Sequence, residues 1–242
     1  MSVEQALSQF AEKEVSESFS LQNSKMLKVE LSGATVQAKL GSMVAHQGDV
    51  KFEHAGSGGV AKFMKKAVTG EGQDLMKISG TGEVFLADLA QDIQLFRLEG
   101  ESITANGANV LAFEDGIDWD IKRVEGASGM LGGGLFNMHL EGTGYVALLS
   151  DGPPMMIQIG AEQTFADPQA AITWSAGVTT SVKADVNMKT LIGRGSGETI
   201  QIAFGGQGWA LIQPSEGQVA APSQSGGSGG GAGGALGKML GG

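Results

Sequence analysis

One short phrase occurs three times along the chain. It reads Ile78-Ser79-Gly80-Thr81-Gly82-Glu83-Val84-Phe85-Leu86, then Leu140-Glu141-Gly142-Thr143-Gly144-Tyr145-Val146-Ala147-Leu148, and more loosely Phe204-Gly205-Gly206-Gln207-Gly208-Trp209-Ala210-Leu211-Ile212. In each case an apolar residue stands two before a Gly-x-Gly, and an apolar run follows it. Gly80, Gly142 and Gly206 are spaced a little over sixty residues apart. A period of that size marks a repeated supersecondary unit.

The residues entering each phrase alternate. Met76 and Ile78 interleave with Lys77 and Ser79, Met138 and Leu140 with His139 and Glu141, and Ile200, Ile202 and Phe204 with Gln201 and Ala203. Period two is the signature of a half-buried strand. Glycine between two strands supplies the positive φ of a tight turn, so each phrase is predicted to be strand, turn, strand. The strand Met26–Leu31 shows the same alternation, with Leu27, Val29 and Leu31 inward and Lys28 and Glu30 outward.

A second landmark precedes each phrase: Val50-Lys51-Phe52, Ile117-Asp118-Trp119-Asp120-Ile121 and Ile172-Thr173-Trp174. Each sets an aromatic on an alternating strand. Ahead of these lie Gly41-Ser42-Met43-Val44, Asn106-Gly107-Ala108-Asn109-Val110 and Asp167-Pro168-Gln169-Ala170. Many short strands punctuated by glycine imply an all-β fold. The expectation is one domain over 21–215, built as a pseudo-threefold β-sandwich or β-prism of three related strand-hairpin units (about 21–95, 96–155 and 156–215). Residues 1–20 form a leader with a short helix near its start, because Ser2 and Gln5 fit a capping box and Val3, Leu7 and Phe10 share a face. Residues 216–242 are rich in glycine and serine and read as a flexible tail.

Composition narrows the function classes. Formal net charge is −10, a poor starting point for neutralising phosphates, so no nucleic-acid partner is expected. The chain has no cysteine, which rules out disulfides, thiol catalysis and thiolate metal sites. The start of the sequence lacks the basic and apolar segments of a secretory signal, and a cytoplasmic location is expected.

Candidate chemistry is sparse. His46 and His54 flank Gln47-Gly48-Asp49, read here as a turn that would let the two imidazoles converge. Asp115, Asp118, Asp120 and Glu114 gather around Gly116, although their spacing departs from a calcium loop. A solvated face is the plainer reading of these carboxylates. Gly193-Arg194-Gly195-Ser196-Gly197 lacks the Gly-Lys-Ser/Thr of a phosphate loop, and no Gly-x-Ser-x-Gly elbow is present. No enzyme activity, resident metal or cofactor is expected. A small-ligand or metal-dependent site near His46/His54 and Asp118/Asp120 is the alternative.

The stronger lead is a set of apolar connectors between each aromatic strand and the following phrase. In the first, Val60, Phe63, Met64 and Ala67 have helical spacing, with Lys62, Lys65 and Lys66 beside them. The others carry Met130 and Leu131, and Leu191 and Ile192. Three related units would bring these tips together. Exposed, they would form a surface for a protein partner or a further copy of the chain, and the lysines would favour peripheral contact with an anionic membrane. Buried, they would plug the ends of the domain.

Taken in order, Leu21-Gln22-Asn23-Ser24-Lys25-Met26-Leu27, Gly41-Ser42-Met43-Val44, Gly70-Glu71-Gly72, Gly142-Thr143-Gly144 and Gly208-Trp209-Ala210 resemble the altered-inheritance-of-mitochondria protein twenty-four family. The resemblance covers about residues 20–215. It implies a β-sandwich like that of the tryptophan RNA-binding attenuation protein, and no agreed activity or catalytic residues. Mitochondrial relatives are associated with inner-membrane organisation. The functional expectation is therefore a non-enzymatic binding or scaffolding module.

Overall fold

The computed structural model describes residues 2–54, 75–123, 136–184 and 200–216. It is an all-β structure dominated by one large antiparallel sheet. The first third contributes β1 (Phe19–Asn23), β2 (Met26–Lys39), β3 (Met43–His54) and β4 (Leu75–Leu86). The middle third contributes β5 (Asp92–Asn106), β6 (Val110–Glu114), β7 (Ile117–Arg123) and β8 (Phe136–Ser150). The last contributes β9 (Met155–Ile159), β10 (Thr164–Ala166), β11 (Ala171–Ser175), β12 (Val178–Ala184), β13 (Ile200–Gly206) and β14 (Gly208–Ile212).

The large sheet runs β3-β4-β2-β6-β8-β5-β11-β14-β9, with β1 also on β2 and β7 also on β8. A three-stranded sheet, β10-β13-β12, completes the fold. In each third the last strand lies between the other two. β4 pairs β2 and β3, β8 pairs β5 and β6/β7, and β13/β14 pair β10/β9 and β12/β11.

The glycine phrases are not hairpin turns. β4 and β8 each run unbroken through Gly-Thr-Gly as a single strand. Only in the last third does the phrase divide two strands, and there β13 and β14 join different sheets. The glycines are needed because another backbone crosses at contact distance. A Cβ on Gly82 would stand 2.1 Å from the Gln47 carbonyl oxygen, and one on Gly142 would stand 2.2 Å from that of Gly116. Their φ angles, +143° and +137°, are also ones that side chains rarely allow. The phrase therefore bends a long strand against its neighbour. A hairpin turn lies elsewhere, at Ser24-Lys25 between β1 and β2.

The thirds are joined by two short antiparallel junctions. The latter half of β2 pairs β6 as Val36↔Glu114, Gln37↔Phe113 and Ala38↔Ala112. The latter half of β5 pairs β11 as Ile103↔Ser175, Thr104↔Trp174 and Ala105↔Thr173. A closed prism would need a third such junction, between the last third and the first. None is present among the described residues: β3 and β9 end the large sheet, and β10 ends the small one.

At the N-terminus, Val3–Leu7 forms α1 with the capping box expected of Ser2 and Gln5. Val3, Leu7 and Phe10, expected on one face, are all exposed. The amphipathic connector over 58–68 and the tail beyond residue 216 lie outside the described residues.

Candidate functional site

The most informative surface is the first half of β3. Its partner β4 fixes the register: Met43↔Leu86, a one-residue irregularity at Val44, then Ala45↔Phe85 and His46↔Val84. The same irregularity occurs in β6, where Val110↔Leu148 is followed by Ala112↔Ala147, and in β11, where Ala171↔Ile212 is followed by Thr173↔Leu211. A bulge leaves one extra residue and re-aims the chain. The extra residues are Val44, Leu111 and Ile172.

Their surroundings differ sharply. Leu111 and Ile172 are fully buried, while Val44 is 52% exposed. The mechanism of burial is the junction. Leu111 packs into the core of the preceding third, with Leu27, Val29, Val36 and Ala38. Ile172 does likewise with Ile103, Ala105, Met138 and Leu140. Phe113 and Trp174, which follow by two residues, are buried too, whereas His46 at the matching place is exposed. Large apolar side chains left in water beside a strand edge that no described strand pairs form a ready template for another strand.

Among the described residues, β9 and β10 also end their sheets. On β10, Phe165 is 42% exposed, and on β9 both Met155 and Met156 lie mostly in water. The core of the last third, around Ile159, Trp174, Ile202, Phe204 and Ala210, receives no bulge residue from a following strand among the described residues.

A second polar cluster lies at the N-terminal segment and is structural. Lys28, expected on the solvent face, is buried. Its Nζ donates to Glu12 and, at 2.7 Å, to Glu83, with Glu30 at 3.8 Å. Burial alone would lower the pKa of the Lys28 ammonium; hydrogen bonds and charge from Glu12 and Glu83 outweigh it and raise the pKa above the usual lysine range. The Lys28 hydrogen bond, against the opposing effect of burial, holds the Glu83 carboxyl below the carboxylate range. Residues 11–18 are pinned over this face. The Tyr145 hydroxyl donates to Glu17 at 2.5 Å, which raises its pKa, and Arg97 lies 5.3 Å over the Tyr145 ring. Ser18 donates to Glu114, which also accepts from the Tyr145 N–H at 2.7 Å. Every charge named here has a partner within the chain.

The residues singled out from sequence divide into two groups. Phe63, Met64, Lys62, Lys65, Lys66, Met130, Leu131, Leu191 and Ile192 lie outside the described residues. His46 and His54 both lie on β3. Gln47-Gly48-Asp49 is strand within β3, not a turn between two strands, and the strand bends there sharply enough to bring His46 against Phe52. Gly48 resembled a turn residue, but it too serves the close crossing, with the Thr81 carbonyl oxygen 2.5 Å from where its Cβ would be. His46 packs edge-on to Phe52 at 5.3 Å. Asp118 and Asp120 sit on β7 opposite Glu141 and His139. No three His, Asp or Glu residues among those described gather closely enough to hold a metal ion. The signal for the β3 edge was present in Gly41-Ser42-Met43-Val44, an apolar pair at the head of a strand, but its exposure depends on which strand lies alongside.

Comparison with known proteins bears on this fold. A family model described as "Mitochondrial biogenesis AIM24" matches residues 19–215. The chain belongs to the AIM24 family. The match begins at the first residue of β1, so α1 and the segment over residues 11–18 lie outside it. The chain is also similar to an X-ray structure of protein SPYM3_0169 from Streptococcus pyogenes, with a TM-score of 0.66 and 24% identity, covering 81% of this chain and 91% of that one. This likeness establishes a shared fold. No curated protein matches. Among the described residues, no helix is long and apolar enough to cross a membrane.

Proposed function

We propose that this AIM24-family chain is a non-enzymatic scaffolding module that assembles with further copies of itself through the open ends of its sheets. One observation carries the reading. The head of β3 holds Met43 and Val44 in water at the strand positions where β6 and β11 bury Val110, Leu111, Ala171 and Ile172. Burying a side chain of this kind contributes about 1.5–3 kcal/mol, and pairing the strand edge, which no described strand covers, satisfies its outward backbone groups. The three thirds are taken as copies of one unit, and a cytoplasmic setting suits an acidic chain without cysteine.

Sedimentation velocity across a wide concentration range tests this. The full chain is expected to show species larger than the protomer, and Val44→Lys to remain a protomer with an unchanged circular dichroism spectrum. A wild-type chain that stays a protomer at every concentration would refute the scaffold reading.

A further inference from the structure

The internal junctions prescribe how two copies meet. Resting on the scaffold reading, we infer that β10 of one copy pairs antiparallel with the head of β3 of the next, in the register Thr164↔Gln47, Phe165↔His46 and Ala166↔Ala45.

The register follows from three aligned sets of pairs. The apolar residue two before each Gly-x-Gly is Ile78, Leu140 or Phe204. Its partners on the first strand of each third are Val36, Ile103 and Thr164. Two residues further on stand Ala38, Ala105 and Ala166, the same small residue in all three, with Gln37, Thr104 and Phe165 between. On the opposing side, the residue two after each Gly-x-Gly is Val84, Val146 or Ala210, and it faces His46, Phe113 or Trp174. Inside the chain, Gln37 meets Phe113 and Thr104 meets Trp174. The remaining members are Phe165 and His46. Each of the three central pairs thus joins one aromatic ring to one side chain able to hydrogen-bond, and in the last pair the aromatic has changed sides.

Burial supports the same match. Ala38 and Ala105 are fully buried at their junctions, while Ala166 is half-buried and its neighbour Phe165 protrudes. In the proposed contact Val44 of the second copy enters the core of the last third near Ala166, as Leu111 packs beside Ala38 and Ile172 beside Ala105. The two edges differ, so the contact is head-to-tail. It repeats until a ring closes, or continues as a filament.

The chain has no cysteine, so introduced thiols report without background. His46→Cys and Phe165→Cys are prepared as separate full-length proteins, mixed and oxidised gently, with Phe165→Cys plus Val44→Cys as the mixture displaced by two residues. A covalent dimer from the first mixture, and little from the second or from either protein alone, is expected. Cross-linking that favours the displaced mixture overturns this register. Wild type that associates by sedimentation while neither mixture cross-links overturns the β10–β3 contact but leaves self-assembly standing. A chain that never associates removes both. Charge reversal supplies a second readout: Phe165→Glu and His46→Glu each abolish association alone, and Phe165→Lys with His46→Glu restores it in the mixture. Association unchanged in both single variants contradicts the contact.

Discussion

Leu111 and Val44 occupy the same place in two thirds of one molecule, and one is in a core while the other is in water. Their local strands are alike. Both follow a buried or structured turn, both sit at a bulge, and both lie next to a long strand bent at Gly-x-Gly. What differs is the neighbour. β6 has β2 alongside, and β3 has nothing on that edge among the described residues. Burial here is a property of the junction between thirds, more than of the strand that carries the residue.

The comparison breaks most visibly by truncation. Leu111→Ala or Ile172→Ala is expected to destabilise the protomer by about 2–5 kcal/mol, the cost of a cavity in a packed core. Val44→Ala is expected to change dilute-protein stability by no more than about 0.5 kcal/mol, and to weaken association instead. Urea unfolding at low protein concentration separates the two; equal losses would mean that Val44 is already buried in the protomer.

A second test asks whether the bends are shared. Gly142→Ala combines a positive φ with a backbone oxygen at 2.2 Å, and roughly 2–4 kcal/mol of destabilisation is expected from strain and overlap. Gly33, at φ +81° with nothing near its Cβ position, should cost about 1–2 kcal/mol as alanine. Comparable losses at the two sites would argue against close strand crossing as the reason for the phrase.

Residues 11–18 strap the first and middle thirds together through Lys28, Glu114 and Tyr145. The pKa of Glu83 is lowered in the folded chain, so its contribution is present above the unfolded carboxylate value of about 4.3 and is lost as pH falls through the folded value. Lys28 is raised, so its contribution is complete below the unfolded lysine value of about 10.4 and is lost only at strongly alkaline pH. Thermal melts should therefore fall on acidification, and Lys28→Met should flatten that fall. An unchanged acid dependence in Lys28→Met would show that the strap is held by other means.

The smallest effect sharpens the comparison by making the ends more alike. His46→Phe gives β3 the aromatic that β6 and β11 carry there as Phe113 and Trp174. An aromatic pair contributes about 0.5–1.5 kcal/mol, so association measured by sedimentation equilibrium should tighten about two- to tenfold. Weakened association would place His46 elsewhere than opposite Phe165.

Much of the fold was legible because alternation and glycine spacing are local signals. Leu27, Val29, Leu31, Ile78 and Leu140 are buried as their periodicity required. Lys28 broke the pattern because its partners Glu12 and Glu83 come from other parts of the chain, one from a segment with no periodicity at all. The glycines were legible as special backbone but not as bends, since a turn and a close crossing both select for them. The same ambiguity at Gly48 made a bend within one strand read as a turn between two. The exposure of β3 was not legible for a different reason: Met43-Val44 has the composition of a core strand, and only the order of strands shows that no described strand lies alongside it.

Amide hydrogen exchange, followed by peptide mass spectrometry at increasing protein concentration, tests most directly whether the missing junction forms between copies. Residues 111–114 and 172–175 should be protected at every concentration, because their junctions are internal. Protection at 44–47 and 164–166 should be weak in dilute protein and rise together as concentration increases. Fast, concentration-independent exchange at 44–47, with the protein demonstrably associated, would contradict the account.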